Sequence, residues 1–195
     1  MRELLIATGN RGKFEEIRAM LCGLFERFYY LKDFEGFELE EDGRSYVENA
    51  MKKARKAGGR FRIRALADDS GLEVDFLSGR PGALSSRYGA TDEERIERLL
   101  RELEGVPLER RGASFKAYIV YFDPFKERHH IFFGRLNGYI ALKRKGGNGF
   151  GFDPVFYVPE LGKTLAQLER EEKARISHRG KALKCLMDYL IFLRS

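Results

Sequence analysis

The chain has 195 residues, 43% of them apolar and 34% charged, with a net charge of +6; this suits one domain or two closely packed lobes and excludes a disordered chain. No apolar run approaches the roughly 20 residues that span a bilayer, and the opening LLIAT is too short for a secretory signal. Two cysteines, Cys22 and Cys185, give neither a disulfide framework nor a zinc spacing, so a reducing cytoplasm is the expected location.

In chain order, a strand is expected at 3–8. A helix follows from about 11 to 28, with Phe14, Ile17, Leu21, Leu24, Phe25 and Phe28 on one face at helical spacing. The acidic stretch FEGFELEEDG reads as a loop. Ser45 with Glu48 reads as a capping box that opens a helix ending at Gly58–Gly59. RALADD and LEVDF read as two strands, which an Asp-Ser-Gly turn at 69–71 would join in a hairpin. Thr91 with Glu94 caps a further helix, and Gly105 closes it. ASFKAYIVYFD and RHHIFFGRLNGYIAL then read as antiparallel strands. A glycine-rich loop, KGGNGFGFDP, precedes a short helix opened by Thr164 and Gln167, and Ser177 is expected to cap the last helix. This mixture of βα units and a meander predicts an α/β fold with a mixed sheet. Residues 1–195 contain no linker, repeat or low-complexity tract.

Three clusters carry possible chemistry. TGNRGK, residues 8–13, joins a strand to a helix start. It is not a P-loop, because Gly9 and Gly12 are too close and Phe14 stands where a magnesium-binding hydroxyl belongs. It still offers free backbone N–H groups and the positive end of a helix dipole, and Lys13 on the first turn adds a charge that an anion would balance. The alternative is a plain βα turn. ADDSG, residues 67–71, sets two adjacent aspartates at the end of an apolar strand, which suits a metal ligand or a proton acceptor as well as it suits a simple hairpin turn. LEEDG at 39–43 could complete a hard-cation site, since magnesium favours one or two carboxylates together with substrate phosphates and water. Third, GFGFDP and EEKARISHRGKA bring Phe150 and Phe152, which could stack on a base, together with Lys173, His178 and Arg179, which could pair with phosphates or base carbonyls. Singly each has a structural reading, as core aromatics, a solvated lysine or a capping histidine. Together they point to a nucleoside triphosphate.

ATGNRGKFEEI, EEDG with SYVENAMKKA, ADDSGLEVD, GRPGALSSRY, GNGFGFDPVF and EEKARISHRGKAL resemble, in this order, the signature segments of the inosine/xanthosine triphosphate pyrophosphatases of the Ham1/RdgB type. The resemblance runs from residue 4 to about 190. It implies an elongated two-lobed α/β protein with a long mixed central sheet flanked by helices, an active-site cleft between the lobes, and a homodimer. It implies magnesium-dependent hydrolysis of ITP, dITP and XTP to the monophosphate and pyrophosphate. By motif, Thr8, Gly9, Asn10, Arg11, Gly12 and Lys13 resemble the triphosphate-binding turn. Glu41 and Asp69 resemble the Mg2+ ligands, with Asp69 also the proton acceptor, Ser70 beside it on the substrate and Lys53 on the phosphate side. Phe150, Gly151, Phe152 and Asp153 resemble the base-binding loop, and Lys173, His178 and Arg179 the groups that read the purine edge. Gln167 and Ala117 depart from the glutamate and cysteine more usual at those places, away from the motif residues.

Two other readings compete. The blocks MKKARKAGGRFRIR and LKRKGG would suit a nucleic-acid-binding module, but the acidic loops would repel a polyanion and no RNP, zinc or helix-turn-helix signature is present. A Maf-type nucleotide pyrophosphatase acting on other bases is the nearer rival. The expected partner is therefore a small-molecule nucleotide, with no nucleic acid and no membrane.

Overall fold

The computed structural model describes residues 3–34, 36, 37, 39, 43 and 45–193. In chain order these residues form β1 (Glu3–Ile6), α1 (Arg11–Leu21), β2 (Arg27–Tyr30), α2 (Tyr46–Phe61), β3 (Ala65–Val74), α3 (Asp92–Glu102), β4 (Gly112–Asp123), β5 (Arg128–Ile140), β6 (Phe156–Val158), β7 (Lys163–Thr164), α4 (Arg170–Ile176) and α5 (His178–Phe192). The strands form one sheet of seven in the order β2-β1-β3-β4-β5-β6-β7. β1 is parallel to β2 and β3, whereas β5–β6 and β6–β7 are antiparallel, so the sheet is mixed. The chain divides into two compact units. The first comprises Met1–Asp69, Ala117–Gly134 and Arg179–Ser195, and the second Ser70–Lys116 and Arg135–His178.

The period-2 alternation of the strands builds the first unit. Leu4 and Ile6 of β1, Leu66 of β3, and Ile119 and Tyr121 of β4 face one way and bury α1 (Phe14, Ile17, Leu21) and α5 (Ala182, Leu183, Leu186, Leu190). The alternate residues Leu5, Ala65, Ala67, Val120 and Phe122 face the other way and bury α2 through Ala50, Ala54 and Ala57. That alanine stripe lets α2 lie close to the sheet. At Gly58, on the same face, a Cβ would come within 2.7 Å of the Phe122 ring. In the second unit, α3 buries Ile96 and Leu99 among Leu72, Val74, Phe115 and Phe156 of the strands.

Three boundaries differ from those expected. α1 stops at Leu21, and residues 27–30 form β2 instead of continuing the helix. The apolar spacing persists across this break because Phe25 and Tyr30 enter the same core as Phe14 and Ile17, and a shared core rather than a continued helix explains the pattern. ALADDSGLEV is one strand, β3, with no turn between its two halves, and Asp75 and Phe76 fall in the 3-10 turn Asp75–Leu77 that follows it. β3 lies between β1 and β4 in the sheet, with β1 alongside Ala65 and Leu66, and membership of the sheet keeps Ser70–Gly71 extended where an isolated segment would turn. α2 runs past Gly58–Gly59 to Phe61 and ends on Arg62 in the left-handed conformation (φ 55°). Ser177 is the residue between α4 and α5, where it closes α4: its amide donates to Lys173 O.

Candidate active site

The turn from β1 into α1 is built by two short polar side chains. Thr8 Oγ1 accepts from the Asn10 amide (3.1 Å), and Asn10 caps the helix by accepting from the Lys13 amide (2.9 Å). The Phe14 amide closes the first turn on Asn10 O. The amides of Arg11 and Gly12 are then the ones this helix start presents to an anion. The Tyr30 hydroxyl donates to Gly9 O (2.7 Å) and holds the turn from the β2 side. Arg11 is exposed and pairs with Glu15.

The alternation that sorts the core also separates the adjacent aspartates of β3. Asp68 shares the face of Leu66 and meets α1 and α5. Its Oδ2 lies 2.9 Å from Lys13 Nζ and accepts from Arg179 Nε (3.2 Å) and Nη2 (3.1 Å). Arg179 Nη1 also pairs with Glu16. Asp69 shares the face of Ala67 and meets α2. Lys53 Nζ donates to Asp69 Oδ1 (2.7 Å) and to the Asp68 backbone oxygen (3.0 Å). Asn49, one helical turn before Lys53, donates through Nδ2 to Asp69 Oδ2 (3.3 Å), and its own Oδ1 accepts from the Gly43 amide (2.7 Å). The Gly43 donor fixes which end of the Asn49 amide faces the carboxylate.

The electrostatics follow from burial and sign. Burial alone would push the Asp68 carboxyl up, but Arg179 and Lys13 outweigh it and hold this acid well below the ordinary range. Asp69 goes the other way. Its burial raises it, and Lys53 offsets this only in part. Burial pulls the Lys13 ammonium down, and the cations Lys53 and Arg179 add to the fall while Asp68 opposes it. Burial also works against the Arg179 guanidinium, yet Asp68 and Glu16 hold it above its usual value. The first unit thus contains a firmly ionised buried carboxylate, a carboxylate with raised proton affinity, and two lysines, gathered where β3 follows parallel β1.

In the second unit the glycine-rich loop folds around Asp153. Its Oδ2 accepts from the Phe150 amide (2.9 Å) and pairs with Lys173 Nζ. Gly149 is left-handed (φ 79°), and a Cβ there would overlap the Asp153 carboxylate. Lys173 Nζ lies 4.7 Å from the Phe150 ring centroid. Phe152 is buried in the core, edge-on to Tyr88, and is not the exposed platform expected of it; any part it plays in holding a base falls to its backbone. His178 is buried and stacks on Phe115 with 4.6 Å between centroids and 11° between planes. Ser70 follows Asp69 on β3 and is half-buried.

Glu41 lies outside the described residues. Among the described residues no group of three or more His, Cys, Asp and Glu is placed to hold a metal ion. The donor chemistry still fits magnesium, which binds through hard oxygens and needs only one or two carboxylates when substrate phosphates complete its shell. Asp69 is such a carboxylate, and a cation there would favour its ionised form. Sequence reasoning took Asp68 together with Asp69 and gave it no role of its own, and it missed Glu16, Asn49 and Tyr30. The spacing of Asn49 and Lys53, four apart on a helix whose neighbouring face is alanine, was the available signal: two polar groups beside a buried face need a partner.

A model of the Ham1 family matches residues 4–189. A dITP/XTP pyrophosphatase of Geobacter sulfurreducens is 47% identical over 194 residues, covering 97% of each chain. One from Yersinia pseudotuberculosis is 44% identical, covering 97% of this chain and 98% of its own. The solved structure of a HAM1 protein from Coxiella burnetii superposes with a TM-score of 0.86 at 41% identity, over 98% of this chain and 99% of that one.

Proposed function

This chain belongs to the Ham1 family, and we propose from that membership that it hydrolyses the non-canonical purine nucleoside triphosphates dITP, ITP and XTP to the monophosphate and pyrophosphate. The observation that carries the reading is the arrangement around Asp68 and Asp69. Lys13 and the amides at the start of α1 supply positive charge for a polyphosphate, and the carboxylate of raised proton affinity, Asp69, is paired through Lys53 on the opposite face of β3.

In the proposed reaction a water oxygen bonds to the α-phosphorus and the bond to the bridging oxygen breaks, releasing pyrophosphate. Asp69 takes the proton from the attacking water, a role that suits a carboxylate held above its ordinary range. Lys13, with the turn Thr8, Gly9, Asn10, Arg11 and Gly12, holds the triphosphate in line, and Lys53 and Ser70 complete the phosphate side. Magnesium, which we assign to Asp69 with Glu41, would neutralise phosphate oxygens when bound. Phe150, Gly151, Phe152 and Asp153 are assigned to the base, and Lys173, His178 and Arg179 to its edge. A donor directed at the 6-oxo group of hypoxanthine or xanthine is left unpaired by the 6-amino group of adenine, which discriminates between them. We also take the protein to be a homodimer of the cytoplasm that acts without nucleic-acid or membrane partners.

The test is a triphosphate panel read by pyrophosphate release. dITP, ITP and XTP should be cleaved far faster than dATP, dGTP or the pyrimidine triphosphates. Preference for a pyrimidine triphosphate would favour a Maf-type specificity and overturn the assignment.

A further inference from the structure

A contact outside the signature motifs fixes the loop assigned to the base. The Gly151 amide donates to Asp92 Oδ2 (2.6 Å). Asp92 is the first residue of α3, directly after the cap Thr91. Its other oxygen accepts from Arg95 Nη1 (2.8 Å), and Arg95 Nε donates to Gly89 O (3.0 Å). The carboxylate is therefore held in one orientation, at the helix end where a negative charge is favoured. α3 itself is seated by Ile96 and Leu99 in the core of the second unit.

Successive backbone amides of the loop are thus gripped by two different carboxylates. The Phe150 amide is held from within by Asp153, and the Gly151 amide from outside by Asp92. Gly151 is left-handed (φ 62°), a conformation that glycine adopts without steric cost. Two held amides on either side of the Phe150 Cα leave its backbone little freedom, and with it the place from which its ring projects, 4.7 Å from Lys173 Nζ.

We propose that Asp92 is a positioning residue for base recognition: through the Gly151 amide it holds the Phe150–Gly151 segment in the conformation that receives the purine. This rests on the assignment of that loop to the base. It does not place Asp92 in contact with substrate or with the phosphate chemistry, so its removal is felt as weaker substrate binding with turnover at saturation retained.

The test pairs Asp92→Ala with Asp92→Asn in the full chain. Amide hydrogen exchange of the loop peptide is read without substrate, and KM and kcat are read with dITP. Loss of a hydrogen bond to a charged acceptor should speed exchange at Gly151 by about tenfold or more and raise KM to a similar degree, with kcat within about twofold. Asp92→Asn keeps a neutral acceptor and should fall between wild type and Asp92→Ala in both readouts. If Asp92→Ala does not fold, Asp92→Asn alone decides, since faster exchange with a raised KM is expected of it too. Unchanged exchange overturns the clamp. Faster exchange with KM unmoved overturns its role in recognition. Failure of the wild type to cleave dITP would instead sink the functional assignment, while the exchange result would still report on the clamp.

Discussion

Lys13 Nζ lies 2.9 Å from Asp68 Oδ2, and of the two side chains only the lysine retains solvent contact, 18% against none. An arriving phosphate can therefore reach the ammonium but not the carboxylate. Asp68 works as a fixed counter-charge that keeps Lys13 and Arg179 together, where two cations would otherwise repel.

Removing that counter-charge leaves Arg179 and Lys13 facing each other in a buried setting. Asp68→Asn should cost about 3–5 kcal/mol in urea unfolding, as expected for a broken buried ion pair. Lys13→Met should cost less, because Asp68 keeps Arg179. The pH dependence has a definite sign. The folded-state acid is depressed, so its contribution is complete above the unfolded carboxylate range near ~4 and is lost as pH falls below it. Wild type should lose stability on acidification through this window more steeply than Asp68→Asn.

The Asp69–Lys53 pair predicts the acid limb of the activity profile. Burial raises the Asp69 carboxyl and Lys53 restrains that rise. Activity should increase with pH through an acid limb as Asp69 loses its proton, with bound magnesium drawing that limb below where burial alone would set it. Lys53→Met removes the restraint and should move the limb to higher pH, whereas Lys53→Arg should leave it near its wild-type place. Asp69→Asn should reduce kcat by about 100-fold or more, the scale of a lost general base. A limb that stays put in Lys53→Met would count against Asp69 as the proton acceptor.

Arg179 donates to Asp68 through Nε and Nη2 and to Glu16 through Nη1, which fixes the plane of its guanidinium. If that plane reads the purine edge, Arg179→Met should lower the ratio of kcat/KM for dITP over dATP by about tenfold or more. Glu16→Gln, which loosens the plane without removing it, should produce a smaller fall. Equal losses on both substrates would assign Arg179 to the phosphate side with Lys13.

Chelation tests the magnesium proposed for this site and separates a chemical role from a structural one. Among the described residues no three-ligand cluster holds the fold together. EDTA should abolish turnover and leave the thermal unfolding midpoint where it was, and magnesium should restore activity. A midpoint that falls on chelation would reveal a structural ion instead.

The sequence by itself determined the composition of both faces of the sheet. The alternation in LLIA, RALADD and IVYFD, and the helical spacing of Phe14, Ile17 and Leu21, dictate which residues are buried, because periods of 2 and 3.6 set the direction of each side chain locally. Caps such as Ser45 and Thr91 were legible for the same reason, as each acts within three residues. Only the tertiary structure decided that residues 65 to 74 run on as one strand, that Phe25 joins the α1 core without being in α1, and that Phe152 is buried. Those outcomes depend on neighbours far along the chain. The same holds for the partition of Asp68 from Asp69. Adjacent in sequence, they read as one acidic pair, but a strand sends them to opposite faces. Which cation each then meets is settled by Lys13 and Arg179 on one side and Lys53 on the other, brought there by three helices from distant parts of the sequence.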